Sequence, residues 1–456
     1  MFYRLKQLTL IAGDYLALLF GFVIAISIRY RMTPVTGEHL FLSMVLLFLV
    51  AILIMFICGL YDLHKNENRW PFFQKIIITA ITWFIFGVGF FYLRRTVVVA
   101  PKTLLILTGL FSFGMTAAWR YIYNRFLSTG ILHAKVVFVG FTPEVNELVE
   151  IIASQPNRGY SVIGFVSSGI LPSQYANFPR AATLKNLIAQ NGLHPDIIVV
   201  APTAIQLPDL QKELYAELTH QTGIVEIAKF YAMITGRIPP FTFSESWFLA
   251  NLNEGEKKVY DRMRIVVDYT FASLMAVIFA VTFPFIAAII KWTSKGPLFF
   301  IQERVGRAGK NFKIYKYRTM YALSSDGSAE VQGAQYATVA DTRITKFGKF
   351  LRRSRLDELP QFINIFKNEM GVIGPRPERA EFVAQLLSRM PFYNLRHLVK
   401  PGLTGWAQIK ESYYGTLDEN LRKLEYDLYY IMNRNFWLDL AIILRTFSVV
   451  IRMGGR

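Results

Sequence analysis

Apolar residues gather in four long runs over the first quarter of the chain, roughly 8–28, 40–60, 76–93 and 103–123. Each approaches the ~20 residues with which a helix crosses about 30 Å of hydrocarbon. The pattern therefore predicts a four-helix transmembrane bundle over residues 1–130. The first run is too long for a signal-peptide core and has no convincing small-residue cleavage site after it. From 135 to 230 the pattern changes. "AKVVFVGF", "YSVIGFV", "DIIVVA" and "GIVEIAK" read as strands, with amphipathic helices at "EVNELVEIIAS", 182–190 and 208–220 between them. Strands alternating with helices predict a Rossmann-like parallel α/β domain over 131–250. Its first turn, "VGFTPEV", has one glycine where a dinucleotide loop needs three, so a scaffold or regulatory module is expected rather than a cofactor site.

A fifth apolar run, "YTFASLMAVIFAVTFPFIAAII" at 269–290, holds no charge but contains Pro284. Hydropathy alone reads it as another span. Yet Lys257, Lys258, Arg262 and Arg264 precede it, and Lys291, Lys295, Arg304, Arg307 and Lys310 follow it. Both flanks favour the cytoplasmic side. Proline removes a backbone donor and clashes one turn back, so the expected form is a re-entrant membrane helix at about 265–290, broken at Pro284. A kinked true span, with the remainder outside, is the alternative.

Composition agrees with membrane attachment. The chain has 456 residues, 53% hydrophobic and 18% charged, with a net charge of +18. A basic protein on a bilayer points to anionic headgroups or phosphate-bearing ligands. No stripe of alternating basic and aromatic residues supports nucleic acid. The lone cysteine, Cys58, excludes intrachain disulfides and Cys-rich metal sites. Cations flanking the four runs number eight on one side (Arg4, Lys6, Lys65, Arg69, Lys75, Arg120, Arg125, Lys135) and five on the other (Arg29, Arg31, Arg94, Arg95, Lys102). That bias places both ends of the bundle in the cytoplasm. Asp14, inside the first run, reads as a helix-packing residue.

Residues 256–456 carry 31 Lys and Arg against 18 Asp and Glu, so phosphates are the expected ligands. This region has no cysteine and one histidine, His397, which reads as structural. Carboxylates remain. In "LRRSRLDELPQ" the adjacent Asp357 and Glu358 follow Arg352, Arg353 and Arg355, with Arg343, Lys346 and Lys349 upstream. Leu359, Phe362, Ile363 and Phe366 then recur at helical spacing, with Pro360 in a first turn. The acids would sit at a helix N-terminus, where dipole and arginines hold them ionised. An ionised aspartate can attack phosphorus; a helix-start acid pair neutralised by surface arginines is the bland alternative. "VIGPRPER" stiffens Arg376 between two prolines, ready to fork onto phosphate, and "FKIYKYRTM" offers Lys316 and Arg318 on one side of a strand. "KPGLTGWAQ" adds turns and Trp406, an aromatic suited to nucleotide packing.

Taken in order, "QERVGRAGKNFKIYKYRTM", "LRRSRLDELPQFINIFKNEM", "GVIGPRPE" and "KPGLTGWAQ" resemble the bacterial sugar transferase family of polyprenyl-phosphate sugar-phosphate transferases. More narrowly they resemble its large exopolysaccharide-initiating members. "KNEMGVIGPRP" departs from the more usual "KGDMSLVGPRP" at Asn368, Glu369 and Gly371. The resemblance implies a mainly helical catalytic domain over 256–456 in the bacterial inner membrane, facing the cytoplasm. It further implies transfer of a sugar-1-phosphate from a UDP-sugar to polyprenyl (undecaprenyl) phosphate, the first membrane step of exopolysaccharide, O-antigen or capsule synthesis. Asp357 would be the nucleophile. Glu358 would hold Mg²⁺ (or Mn²⁺) with it or assist protonation. Lys316, Arg318, Arg352 and Arg376 would neutralise phosphate, with Gln408 and Asp427 as further substrate-side candidates. A homodimer is left open. The competing classes are a nucleotide-sugar oxidoreductase and a non-enzymatic scaffold of polysaccharide assembly.

Overall fold

The computed structural model describes residues 2–30, 38–62, 70–93, 102–125, 133–322 and 341–451, apart from 168, 170–171, 193, 203, 205–207, 221, 241–244, 253, 391 and 412–415. Arg31, Lys65, Arg69, Arg94 and Arg95, on which the loop-charge count partly rests, lie outside the described residues. The chain divides into two compact units, Met1–Phe230 and Tyr231–Arg456.

The first unit opens with α1 (Phe2–Tyr30), α2 (Glu38–Ile57), α3 (Trp70–Leu93) and α4 (Lys102–Ile122). The segments Lys6–Tyr30, Trp70–Leu93 and Thr103–Arg125 are long and apolar enough to cross a membrane, whereas Phe41–Ile57 is shorter. That run stops early because the chain turns at Gly59, whose φ of +73° suits glycine. Helices α1 and α4 meet at backbone distance. A Cβ on Gly21 would stand 2.3 Å from the Ser112 Cα, and the Ser112 hydroxyl donates to the Leu18 carbonyl at 2.7 Å. Small residues permit such approach in the absence of a hydrophobic drive between helices. Asp14 accepts two bonds from Arg120, at 2.8 and 2.6 Å, and Arg120 also donates to the Leu60 carbonyl. The buried acid thus ties α1 to α4, the packing role expected of it.

The α/β part follows with β1 (Ala134–Val139), α5 (Pro143–Ser154), β2 (Tyr160–Val166), β3 (Arg180–Ala181), α6 (Leu184–Asn191), β4 (Ile197–Val200), α7 (Pro208–Glu217), β5 (Gly223–Glu226) and α8 (Ile227–Thr235). The strands form one parallel sheet in the order β3-β2-β1-β4-β5. "GIVEIAK" is only half strand, since Ile227 already begins α8. β3 has just two residues, too short for any alternation to announce it. At the first turn, Gly140 (φ +84°) lets β1 pass Ala201, whose Cβ lies 2.8 Å from where a side chain would start.

The second unit contains α9 (Glu245–Asn251), α10 (Lys258–Thr293), the hairpin β6 (Phe299–Val305) and β7 (Asn311–Tyr317), α11 (Lys346–Arg353), a 3₁₀ helix at Leu356–Gln361, α12 (Phe362–Phe366), β8 (Gly371–Ile373), α13 (Ala380–Leu387), β9 (Gly402–Thr404), α14 (Trp406–Lys410), α15 (Leu417–Asn433) and α16 (Phe436–Ile451). The 36 residues of α10 form one helix that runs on through Pro284, where a break was expected, because the remaining turns keep their backbone bonds on either side of the proline. At 1.5 Å per residue it is about 54 Å long, and it is long and apolar enough to cross a membrane. The Ala280 carbonyl loses its donor at Pro284, and the Thr282 hydroxyl bonds back to the Ile278 carbonyl at 2.7 Å. Both features loosen a helix locally. Val277, Val281 and Phe285 line one exposed stripe that ends near Trp292, while Ile286 and Ile290 are buried. The buried side packs on Tyr317, Leu351 and Leu359, which brings β7, α11 and the 3₁₀ helix together.

Candidate active site

Three short segments assemble the site. Thr345 caps α11 by accepting from the Gly348 N–H at 2.8 Å. Gly348 then lies so close to Thr319 that a Cβ would fall 2.0 Å from the Thr319 carbonyl oxygen. After α11 the chain reverses at Arg355, which takes φ +59°, and enters the 3₁₀ helix whose first turn holds Asp357 and Glu358. Asn364, wholly buried in α12, which continues directly from the 3₁₀ helix, fixes that segment to the hairpin. Its amide donates to the Lys313 carbonyl and to Glu369 at 2.7 Å each, and its oxygen accepts from the Tyr315 N–H at 3.2 Å.

The two acids meet different surroundings. Glu358 Oε1 accepts from Lys316 at 2.9 Å and from Arg376 at 3.0 Å, and Oε2 faces Arg355 at 3.6 Å. Burial alone would raise its pKa, but Lys316, Arg376 and Arg355 outweigh burial and hold it well below the usual carboxylate range. Asp357 is also buried, and its Oδ1 has no hydrogen-bond partner among the described residues. Burial, then the neighbouring Glu358 charge, raise its pKa against the pull of Lys316, Arg352 and Arg355. The arginines thus do not serve the two acids alike: the direct ion pairs go to Glu358, and Asp357 is the harder of the two to ionise. Four cations (Lys316, Arg352, Arg355, Arg376) surround two carboxylates, leaving two positive charges in surplus when both acids are ionised.

The other candidates lie as follows. Arg352 donates to the Thr319 hydroxyl at 2.9 Å. Arg318 is buried at the end of α10, donating to the Lys295 and Ser294 carbonyls at 2.9 and 2.7 Å and to the Ser294 hydroxyl at 2.9 Å. It caps a helix C-terminus, where a cation suits the dipole, and makes no bond to the acid pair. Asp427 is buried against Arg396 at 2.9 Å; Arg396 in turn donates to the Arg376 carbonyl at 2.9 Å and to the Tyr393 hydroxyl at 2.5 Å. Asp427 therefore acts through Arg396 on the backbone that presents Arg376. Glu378 pairs with Lys423 and, at 3.8 Å, with Arg304. Gln408 donates weakly to the Leu403 carbonyl at 3.5 Å, and its own oxygen is buried without a partner among the described residues. Trp406, half-buried, stacks on Tyr429 and donates to the Gly236 carbonyl at 2.9 Å. Burial, then Arg396, push His397 down to about 4, so it is neutral at pH 7.

Residues 259–453 match the family described as bacterial sugar transferase. The chain is 32% identical over 428 residues to the UDP-glucose:undecaprenyl-phosphate glucose-1-phosphate transferase of Klebsiella pneumoniae, covering 89% of this chain and 88% of the relative. The chain belongs to the bacterial sugar transferase family. Over 169 residues it is 44% identical to the UDP-N-acetylgalactosamine-undecaprenyl-phosphate N-acetylgalactosaminephosphotransferase of Aeromonas hydrophila, 37% of this chain and 39% of that protein. It is 39% identical over 181 residues to the UDP-glucose:undecaprenyl-phosphate glucose-1-phosphate transferase of Escherichia coli, 39% of this chain and 38% of that protein.

Several residues of this transferase's site escaped the reading of the sequence. Arg355 was visible as a charge, but its left-handed turn toward Glu358 was not. Thr319, Asn364, Glu378 and Arg396 bond across the fold to partners remote in sequence. Glu378 alone left a signal, as the acid that closes "GPRPE".

Proposed function

We propose that this transferase moves a sugar-1-phosphate from a UDP-sugar to undecaprenyl phosphate through a covalent intermediate on Asp357. The observation that carries the reading is the asymmetry of the acid pair: Glu358 is saturated by cations, while Asp357 keeps a buried oxygen with no hydrogen-bond partner among the described residues. Two of the relatives carry UDP-glucose and one carries UDP-N-acetylgalactosamine in its name, each with undecaprenyl phosphate, which supports the substrate classes and leaves the sugar open.

In the first step an ionised Asp357 oxygen attacks the phosphorus nearest the sugar. The new P–O bond forms as the bond to the bridging oxygen breaks, and its electron pair leaves with UMP. In the second step a phosphate oxygen of the lipid attacks the same phosphorus. The acyl–phosphate P–O bond breaks and the carboxylate is restored. Arg376 and Lys316, already within bonding distance of Glu358, can turn to the phosphoryl oxygens as negative charge grows there. A raised pKa makes Asp357 the more basic, hence the more nucleophilic, of the two carboxylates.

Mg²⁺ or Mn²⁺ suits this donor set, because Asp357 Oδ1 and Glu358 Oε2 are hard oxygens and the first is unpartnered. Such an ion would supply Lewis-acid neutralisation of the diphosphate. The exposed stripe of α10 supports contact with lipid; the re-entrant arrangement at about 265–290, with the catalytic region, 256–456, on the cytoplasmic face of the inner membrane, rests on the basic residues that flank the run on both sides. The α/β domain would then be non-catalytic, and a homodimer is compatible with it. The test is to mix detergent-solubilised enzyme with UDP-sugars and no lipid acceptor, then digest it for mass spectrometry. A hexose-phosphate mass on the peptide holding Asp357 is expected, with one UMP released per adduct. UMP release with the adduct elsewhere, or turnover with no adduct under quench, refutes the reading.

A further inference from the structure

A second cluster of titratable side chains lies in the first unit. His194 stands between α6 and β4, Glu217 is the last residue of α7, and His220 closes the one-turn 3₁₀ helix Leu218–His220. The spacing from Glu217 to His220 is three residues, which puts both on one side of a helical turn. One potential ligand atom from each of His194, Glu217 and His220 lies within 4.8 Å of the other two.

The geometry is a poor hydrogen-bonding arrangement and a good coordinating one. His194 Nδ1 is 3.7 Å from Glu217 Oε2, too long for a hydrogen bond. Two ligands on a tetrahedral ion, each bound at about 2.0–2.1 Å, stand roughly 3.3 Å apart. The two imidazole rings face each other at 4.7 Å and 30°. Glu217 Oε2 is shielded from solvent and accepts no hydrogen bond among the described residues; leaving a buried acceptor unmet is costly. The backbone under the cluster is already fixed. The Thr222 hydroxyl donates to the Pro195 carbonyl at 3.1 Å, and the Gly223 N–H donates to the Asp196 carbonyl at 2.9 Å. The approach of the loops is therefore set by the sheet and does not depend on an ion.

We propose that His194, Glu217 and His220 form a binding site for a transition-metal dication of the zinc class, with a fourth position left to water. Two imidazoles and one carboxylate select such an ion over Mg²⁺, which takes oxygen ligands. The site lies where β4 and β5 begin, at the edge opposite the strand ends where open α/β sheets usually bind organic ligands. Its role is to clip the α6–β4 connection to the end of α7.

The test uses the full chain, untagged, in detergent micelles. Protein is stripped with chelator, equilibrated with micromolar zinc, desalted and assayed for metal by mass spectrometry. One zinc per chain is expected in the wild type, lost in the His194→Ala/His220→Ala double variant and reduced in Glu217→Gln. X-ray absorption of the zinc form should show nitrogen and oxygen neighbours only. Thermal unfolding in zinc-free buffer checks that the double variant is folded, and zinc should raise the transition of the wild type alone. Wild-type protein with no zinc above the stripped blank overturns the proposal, as does a double variant that keeps its zinc.

Discussion

Replacing Asp357 with asparagine should abolish turnover and, at neutral pH, make the protein more stable. Burial and the adjacent Glu358 charge push Asp357 up to about 6, from an ordinary 3.8. The difference is roughly two pH units, each equivalent to about 1.4 kcal/mol, so the ionised form costs about 3 kcal/mol of folding free energy at pH 7. A neutral amide removes that cost but brings an N–H pair into a place that lacks partners, which returns about 1 kcal/mol. A net gain of about 2 kcal/mol remains, or roughly 4–8 °C in the transition of a unit this size. The sign has a pH signature. The folded value lies above the unfolded one, so the stability contributed by Asp357 is present below the ordinary value and lost as pH rises through the raised one. The gap between Asp357→Asn and wild type should thus close as pH falls toward about 4. Over the same range the kcat/KM of the wild type should show an acid limb above the ordinary carboxylate value, because the nucleophile must be ionised. Differential scanning fluorimetry at several pH values, run beside a UMP-release assay, reads both effects. A less stable, inactive Asp357→Asn would mean that the carboxylate is held by favourable contacts, and the argument from the unpaired oxygen would fail.

Arg376→Lys should lower kcat/KM by about 10²–10³, equivalent to roughly 2.7–4 kcal/mol, since an ammonium cannot reproduce the guanidinium fork; steady-state kinetics with varied UDP-sugar would show it, and near-wild-type values would rule out bidentate phosphate binding. Asp427→Asn leaves Arg396 buried without its counter-charge and should destabilise the second unit by about 3–5 kcal/mol, seen as a lower denaturation midpoint; an unchanged midpoint would deny the buried pair any structural part. Arg318→Ala removes four hydrogen bonds from the end of α10, one of them long at 3.5 Å, and should cost about 2–4 kcal/mol. Its effect should appear in thermal unfolding more than in the KM for the donor, and a selective KM defect would instead place Arg318 on phosphate.

Local pattern was enough for much of this protein. Continuous apolar runs of about 20 residues announced α1, α3 and α4, because a lipid-facing helix needs little beyond length and hydropathy. Periodicity located β1, β2 and β4 to within a residue or two, because a buried parallel strand is written in a short β-branched stretch. Asp357 and Glu358 were legible as a pair because two acids stand out among arginines. Their division of labour was not. Lys316 reaches Glu358 from 42 residues away, and Arg396 reaches Asp427 across 31, so which cation serves which acid depends on how the hairpin, the 3₁₀ helix and α15 approach. Charge counts treated Arg318 and Arg376 as equivalents. Packing sent one to the end of α10 and the other to Glu358, since a side chain's partner is chosen by the direction in which its backbone enters the core. The apolar spans, the succession of strands and helices along the chain and the inventory of charged groups were all readable locally, being properties of neighbours. That one carboxylate is neutralised while the other keeps an oxygen without a partner among the described residues followed from long-range folding, because burial and ion pairing are set by segments that the chain brings together from afar.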